Sequence, residues 1–458
     1  MVKASKQPGT SRGVIGLIAV IILISSLGNL SQTALNAMLN SVSVDLGVEP
    51  ALAQWATTIY MLTLGVTVPV VPFLMRRFSY RRIIVACAVM LVAGAFLAAV
   101  ALNFEVLILG RILQAVSAGI TVPMMMSVIM QSFPPERRGG VMGVAGIAMG
   151  FSPNVGPTIG GIFVDLAGWR SFFVALLLLS LVLLACCALV PQTQKPQASA
   201  LKFDLLSFLL STVGLVGLLL GFSNVSSFGV SSVYVWVPVV AGLAVFAVFL
   251  WRQTKVEHPL INLAIMQSRK YRAGFWSLNF LWASFLCITL LTPLFVQNVM
   301  GGSALDSGIV MLSGAAVALV FNPLAGFASD KFGAFPVVLC GSALLVLGSV
   351  PMVFADAGMP FWLVALLQGV RQAGVSGLIS PMNTWSMSDL PHSLMTDGSS
   401  FGTVVRQAFA SFSTAIVMAF ITIIPAVAGS MLLGYQCAYA FSAACAVLVF
   451  AINLVRVR

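Results

Sequence analysis

Apolar runs of about 20 residues, each long enough to cross a bilayer as a helix, recur from one end of this chain to the other. They predict fourteen spans, near residues 13–36, 52–75, 83–102, 106–132, 142–164, 171–190, 203–222, 232–251, 273–296, 307–328, 335–354, 360–382, 400–424 and 432–454. The polar stretches between them are short and leave no room for a separate catalytic domain. Residues 13–36 exceed the apolar core of a signal peptide, hold polar residues at their middle and are followed by no A-x-A site. They read as a first span, and the fold class expected is an all-α integral membrane protein.

The polar positions between the runs orient the chain. With fourteen spans, 19 of the 23 Lys and Arg fall on one side, including Arg76, Arg77, Arg137, Arg138 and Lys331. Arg170 falls on the other side, and Arg111, Arg371 and Arg406 fall inside spans. Asp45, Glu49, Glu105, Asp165, Asp306 and Asp356 mark the side poor in basic residues. Cytoplasmic loops are enriched in Lys and Arg. Both termini are therefore expected in the cytoplasm, with the chain multi-pass in the inner (cytoplasmic) membrane.

Composition agrees. The 458 residues are 60% hydrophobic and 8% charged, with a mean hydropathy of +1.06, whereas a soluble domain is about 25% charged. The net charge of +11 follows from this topology and suits contact with a lipid bilayer whose surface is anionic. It does not call for a nucleic-acid partner.

A repeat divides the chain. Residues 71–82 (VPFLMRRFSYRR) follow the second span and residues 324–335 (LAGFASDKFGAF) follow the tenth, with Arg77 aligned on Lys331. QAVSAG at 114–119 in the fourth span is echoed by QAGVSG at 372–377 in the twelfth. The segments expected are a cytoplasmic N-terminus (1–12), a six-helix bundle (13–190), a two-helix insert (203–252), a second six-helix bundle (273–454) and a cytoplasmic tail (455–458).

The polar groups within the spans are the candidate chemistry. An ionised arginine inside a membrane helix costs about 2.5–3.5 kcal/mol on insertion scales and marks a functional position by default. Arg111 and Gln114 lie on one face of the fourth span, and Arg371 and Arg406 lie in the twelfth and thirteenth. Ser25, Asn29, Gln32 and Asn36 recur at helical spacing along the first span. No Asp or Glu falls near the middle of any span. Asp389, His392 and Asp397, between the twelfth and thirteenth spans, are titratable groups that could accept protons, and they read first as solvated loop charges.

At these residues the chain resembles the fourteen-span drug:proton antiporter group of the major facilitator superfamily. Arg111 and Gln114 match its fourth-span R-x-x-Q. Gly150, Gly156, Pro157, Gly160 and Gly161 match its fifth-span antiporter motif, and Gly168-Trp169-Arg170 the G-W-R after it. Gly326, Asp330, Lys331 and Gly333 match the G-x-x-x-D-R/K-x-G loop motif, and Arg406-Gln407 the thirteenth-span R-Q. The resemblance covers nearly the whole chain. It implies two six-helix bundles with pseudo-two-fold symmetry plus two inserted helices. It also implies a secondary transporter that exports amphipathic small molecules (multidrug efflux) by alternating access, driven by a proton gradient and needing no other cofactor. Two stretches depart from the group. Ser31 stands where its first span carries an aspartate, and Pro72, Arg76 and Ser79 replace the Gly, Asp and Gly of the first loop motif.

From residues and resemblance together, the substrate cavity is expected to be lined by Asn29, Gln32, Asn36, Tyr60, Arg111 and Gln114 in the first half. Asn154, Asn279, Trp282, Arg371, Arg406 and Gln407 complete it. Gly150, Gly156, Pro157, Gly160 and Gly161 form the conformational motif: small residues let helices approach closely and proline bends a helix. Arg77, Asp330 and Lys331 form a gating loop.

Enzymatic chemistry has no foothold. The seven cysteines lie in apolar runs without C-x-x-C spacing, the two histidines, His258 and His392, are remote from each other, and no phosphate-binding GK[ST] loop occurs. No metal ligand set is predicted. The partner expected is a small amphipathic substrate, and the chain is expected to act as a monomer. Two other readings remain open: export of a dedicated anionic or neutral metabolite or lipid, and a transport-inactive membrane sensor or assembly partner.

Overall fold

The computed structural model describes residues 12–190, 203–229, 231–257 and 259–457. Residues 1–11, Lys195, Lys202, His258 and Arg458, to which the sequence assigns tails and loops, lie outside the described residues. The long helices are α1 Arg12–Asp45, α2 Trp55–Arg77 (with a 3-10 turn at Val68–Val70), α3 Tyr80–Ala99, α4 Phe104–Ser132 and α5 Pro135–Ala167. They continue as α6 Trp169–Leu189, α7 Leu205–Ser223, α8 Val233–Gln253, α9 Arg269–Asn298 and α10 Ala304–Phe332. The last four are α11 Ala334–Ser349, α12 Phe361–Met387, α13 Met395–Ala428 and α14 Met431–Arg456.

Among the described residues, 13 helices are long and apolar enough to cross a membrane. The fifth expected span falls on α5, which lies outside that set and is a helix of 33 residues in which the side chains of 148–150 and 153 are not described. Several helices outrun their apolar runs. The expectation of 142–164 becomes Pro135–Ala167, and 13–36 becomes Arg12–Asp45. A charged turn such as Arg137–Arg138 ends the apolar signal without ending the helix, because its side chains reach water while the backbone bonds continue.

Side-chain caps set several starts. Asn103 accepts from the Val106 N–H at 3.0 Å to begin α4, and Ser303 and Asp306 form a capping box on α10. Three ends of these long helices need a positive-φ backbone: α5 stops at Gly168 with φ 78°, α10 at Gly333 with φ 85° and α13 at Gly429 with φ 67°.

The packing repeats between the halves. In the first, α1 packs on α4, α5 and α6, α3 on α4 and α6, and α2 on α4. In the second, α9 packs on α12, α13 and α14, α11 on α12 and α14, and α10 on α12. The pairs correspond helix for helix, which is the expected pseudo-two-fold relation of two six-helix bundles.

The two interfaces between the bundles differ. On one side α5 lies along α10, whereas on the other α2 and α13 meet near their basic ends and the inserted α7 packs against both. The insert is a tight hairpin: a Cβ at Gly217 would lie 2.8 Å from Gly242 Cα, so the two backbones touch. Arg252 closes its end by donating to Asp204 Oδ1 at 3.2 Å. Outward, α8 exposes Trp236, Val237, Val240, Leu243 and Trp251, an apolar face suited to lipid.

Candidate functional site

The arginines that the sequence places on a common cavity wall occupy three different places. Arg111 is fully buried inside the first bundle. Its Nη1 donates to Gln114 Oε1 at 2.7 Å, Ser31 Oγ at 2.8 Å and Ser31 O at 3.2 Å. Its Nε donates to Ala56 O at 3.3 Å. The guanidinium stacks 4.3 Å from the Tyr60 ring, and Tyr60 in turn donates to Gly28 O at 2.8 Å. Ser31 completes the network by donating to Gln114 Oε1 at 2.9 Å. Tyr60, Arg111 and Gln114 therefore tie α1, α2 and α4 together. They do not line an open cavity, because a guanidinium within a bundle lowers its burial cost by taking every neighbouring carbonyl and ring face it can reach.

Arg371 is likewise inside the second bundle, 1% exposed, donating to Gln368 Oε1 at 3.2 Å. Asn279 is buried on α9 and bonds its own helix at Phe275 O, 2.7 Å, and Asn154 is buried on α5. Arg406 alone of the three reaches across the bundles. It spans from α13 to α4, donating to Thr403 Oγ1 at 2.8 Å and approaching Met126 Sδ at 3.8 Å. Gln407 beside it and Trp282 on α9 are half-buried.

Along α1 the expected polar face is graded. Ser25 is fully buried, Asn29 and Gln32 are half-buried, and Asn36 is exposed and accepts from Thr57 Oγ1 at 3.2 Å. Exposure thus increases toward the end of the molecule that carries the acidic loops.

The polar contacts between bundles cluster at the opposite, basic end. Asp330, at the end of α10, accepts from the Gly139 N–H at 2.7 Å and the Gly140 N–H at 2.6 Å near the start of α5. Ser380 on α12 donates to Gly139 O at 3.0 Å. On the other interface Arg76, at the end of α2, forms an ion pair with Asp397 at the start of α13. Asp397 is fully buried and also accepts from the Asn262 N–H at 2.9 Å. Ser127 and Thr396 meet at 2.6 Å, and Ser399 donates to Pro123 O at 3.0 Å.

Two expectations change here. Asp397, read as a solvated loop charge, is an interbundle ion-pair partner, because the end of α2 and the Leu263–Gln267 turn fold over it. Asp389 does remain exposed, pairing with Lys270 at 2.9 Å. The contact expected of Arg77 is made by its neighbour Arg76, while Lys331 lies 5.2 Å over the Phe332 ring, away from the interface. The signal for Arg76 was present in the repeat, where it aligns with Asp330 with its charge reversed.

The conformational motif also divides. A Cβ at Gly156 would overlap Thr33 Oγ1, and one at Gly160 would overlap Ala34 O, so these two glycines seat α5 on α1 within one bundle. Gly161 has open space beside it, and Pro157 is exposed. Gly150 lies in α5, with its surroundings outside the described residues. The glycines at the bundle interface are others: Gly139, Gly140 and Gly143, whose Cβ positions would run into Asp330, Phe327 and Asn322 of α10. The Gly168-Trp169-Arg170 segment clamps the acidic end of the first bundle. Trp169 Nε1 donates to Asp45 Oδ2 at 3.2 Å, and Arg170 pairs with Asp45 and donates to Ala101 O at 2.6 Å.

Comparison with known proteins places this architecture. The family model of the Major Facilitator Superfamily matches residues 21–414. A relative from Bacillus subtilis (strain 168), the uncharacterized MFS-type transporter YcnB, is 32% identical over 90% of this chain and 87% of its own length. Lincomycin resistance protein LmrB of the same organism is 30% identical over 91% of this chain and 86% of its own. Multidrug resistance protein B homolog of Mycobacterium tuberculosis (strain H37Rv) is 29% identical over 90% and 76%. Among solved structures, the proton:xylose symporter XylE shares the fold with a TM-score of 0.68 at 13% identity, covering 98% of this chain and 97% of that one. With the two-bundle packing, the family model over most of the chain and these relatives all in agreement, the protein belongs to the major facilitator superfamily and is a multi-pass membrane transporter, not an enzyme.

Proposed function

We propose that this transporter exports amphipathic small molecules from the cytoplasm by alternating access, in the manner of a multidrug efflux protein of the inner membrane. The basic end faces the cytoplasm, with both termini there, in keeping with the positive-inside rule. A single polypeptide suffices, because both bundles belong to one chain.

The observation that carries the reading is the one-sided closure. Asp330 and Arg76 latch the bundles at the basic end, while the polar face of α1 becomes exposed toward the other end. Transporters built from parallel repeats work by rocking such bundles about a central site, and closure at the basic end supports reading this arrangement as an outward-facing state. The names of relatives, lincomycin resistance and multidrug resistance, supply the cargo class. The proton gradient is the proposed energy source. Asp397 is the buried carboxylate at the bundle interface, and its protonation would release Arg76 and loosen the cytoplasmic closure.

The test is loss of a preloaded lipophilic fluorescent cation from energised cells expressing the chain, with and without a protonophore. Faster loss that the protonophore abolishes is the expected result. Loss indistinguishable from that of empty cells would remove cationic drugs from the cargo and favour the second reading, export of an anionic or neutral metabolite or lipid. One observation favours that reading: Arg406 brings a positive charge to the interface of the bundles.

A further inference from the structure

Arg111 is a buried cation without a buried anion. The ion pairs among the described residues use Arg76, Arg170, Arg252 and Lys270, and not Arg111. On α1, Asp45 lies fourteen residues from Ser31, about 21 Å along the axis at 1.5 Å per residue, and it is paired with Arg170. Every partner of the guanidinium is neutral: two carbonyls, a hydroxyl, an amide oxygen and a ring face. Buried charges in proteins are ordinarily paired, since an unpaired one keeps a desolvation penalty that neutral dipoles offset only in part.

The unsatisfied atoms of the network point the same way. Arg111 Nη2 and Gln114 Nε2 are fully buried and have no acceptor among the described residues. Both can only donate. The acceptors beside them are already engaged: Gln114 Oε1 receives Arg111 and Ser31, and Ser31 Oγ receives Arg111. A water molecule accepting from either donor would have its own hydrogens to place, whereas an anion accepts only. Arg111, Gln114, Ser31 and Tyr60 are all 0% exposed, so a bound group must be small and stripped of water.

We propose that Arg111 Nη2 and Gln114 Nε2 hold a dehydrated monovalent anion of the halide class, which serves as the mobile counter-ion of the first bundle. The site is distinct from any cargo path between the bundles and does not depend on what the cargo is. Residue 31 controls it. Ser31 Oγ already lies 2.8 Å from Arg111 Nη1, so a carboxylate introduced there would be a tethered counter-ion and would make the free anion redundant.

The experiment is thermal unfolding of the purified full-length chain in nanodiscs, titrated with sodium bromide against sodium gluconate at constant ionic strength. The unchanged chain should show a saturable bromide-dependent rise of the midpoint. Ser31→Asp should be more stable in gluconate and should lose the bromide dependence, and Arg111→Gln should lose that dependence too. Should Arg111→Gln fail to fold, Ser31→Asp and anomalous scattering from bromide-soaked crystals decide the matter, with a bromide peak expected beside Arg111 Nη2. A flat titration of the unchanged chain, a bromide effect that persists in Ser31→Asp, or density for a water without anomalous signal would each overturn the proposal.

Discussion

Arg76 and Asp397 form an ion pair across the bundles at the place where the symmetry-related interface uses Asp330 and the backbone N–H groups of Gly139 and Gly140. Arg76 aligns with Asp330, and Asp397 occupies a position on α13 close to that of Gly139 on α5. One interface thus closes with a carboxylate on α10 and helix N–H donors on α5. The other closes with the carboxylate moved to α13 and a guanidinium on α2. The loss of the motif aspartate at position 76 is therefore an exchange of charge between partners, and the contact survives it.

The pair predicts an asymmetric response to mutation. Asp397 is fully buried, while the Arg76 side chain is 30% exposed and can turn back to water. Arg76→Gln strands a buried carboxylate and should cost about 3 kcal/mol, the low end for breaking a buried pair. Asp397→Asn leaves a partly hydrated arginine and should cost about 1 kcal/mol. The double exchange Arg76→Asp, Asp397→Arg should recover part of the loss. Chemical unfolding of the four proteins in micelles measures all three differences, and equal losses for the two single variants would mean that the pair is not asymmetric in burial.

The glycines of α5 predict a ranking. Gly160→Ala sets a methyl against the Ala34 backbone carbonyl, which cannot move without shifting α1, and should cost about 1–3 kcal/mol through overpacking. Gly156→Ala meets the Thr33 hydroxyl first, so Thr33→Ala should partly rescue it and should do nothing for Gly160→Ala. Gly161→Ala meets open space and should be silent. Melting temperatures of the five variants check the order, and a damaging Gly161→Ala would show that this face of α5 is used in another state.

These cases show what the chain's pattern could and could not reveal. Apolar runs located the helices because bilayer thickness fixes their length, and the echo of residues 71–82 in 324–335 exposed the two halves. The i, i+3 spacing of Arg111 and Gln114 did put both on one face of α4. It could not say that the face met Ser31 and Ala56, because that depends on which helix packs alongside. Asp397 looked solvated since its sequence neighbours are polar. Its burial comes from Arg76 and Asn262, which lie 321 and 135 residues away. The glycine motif signalled close packing, but the sequence reading put it at the bundle interface, whereas Gly156 and Gly160 pack against α1 of their own bundle.

The insert carries its own pH signature. Burial works against the Asp204 charge, but the Ser207 hydroxyl and N–H and the Arg252 guanidinium outweigh it and hold the carboxyl below the usual carboxylate range. A carboxyl depressed on folding adds stability that is full above its unfolded pKa, about 3.9, and is lost as pH falls through the lower folded value. The α7–α8 hairpin should therefore keep this contribution at neutral pH and lose it only below about pH 4. Asp204→Asn should reduce stability at pH 7 by no more than about 1 kcal/mol, since both partners are partly exposed. The difference between the two proteins should vanish at low pH, and unfolding curves at both pH values measure it.

The contact of α5 with α10 makes the last and most specific prediction, because it concerns which state is populated. A Cβ at Gly326 would overlap the Gly139 carbonyl, and neither backbone can yield while the basic end is shut. Gly326→Ala should therefore disfavour the closed arrangement itself and leave each bundle's own packing intact. Asp330→Asn acts on the same contact by a different route: it removes the charge that the Gly139 and Gly140 N–H groups stabilise at the first turns of α5. Both variants should shift the population toward a state open at the basic end, with Gly326→Ala the stronger. Spin-label distances between one site near the start of α5 and another near the end of α10 would lengthen in both. A distance unchanged in Gly326→Ala would show that the bundles can part and close again without returning to this glycine contact.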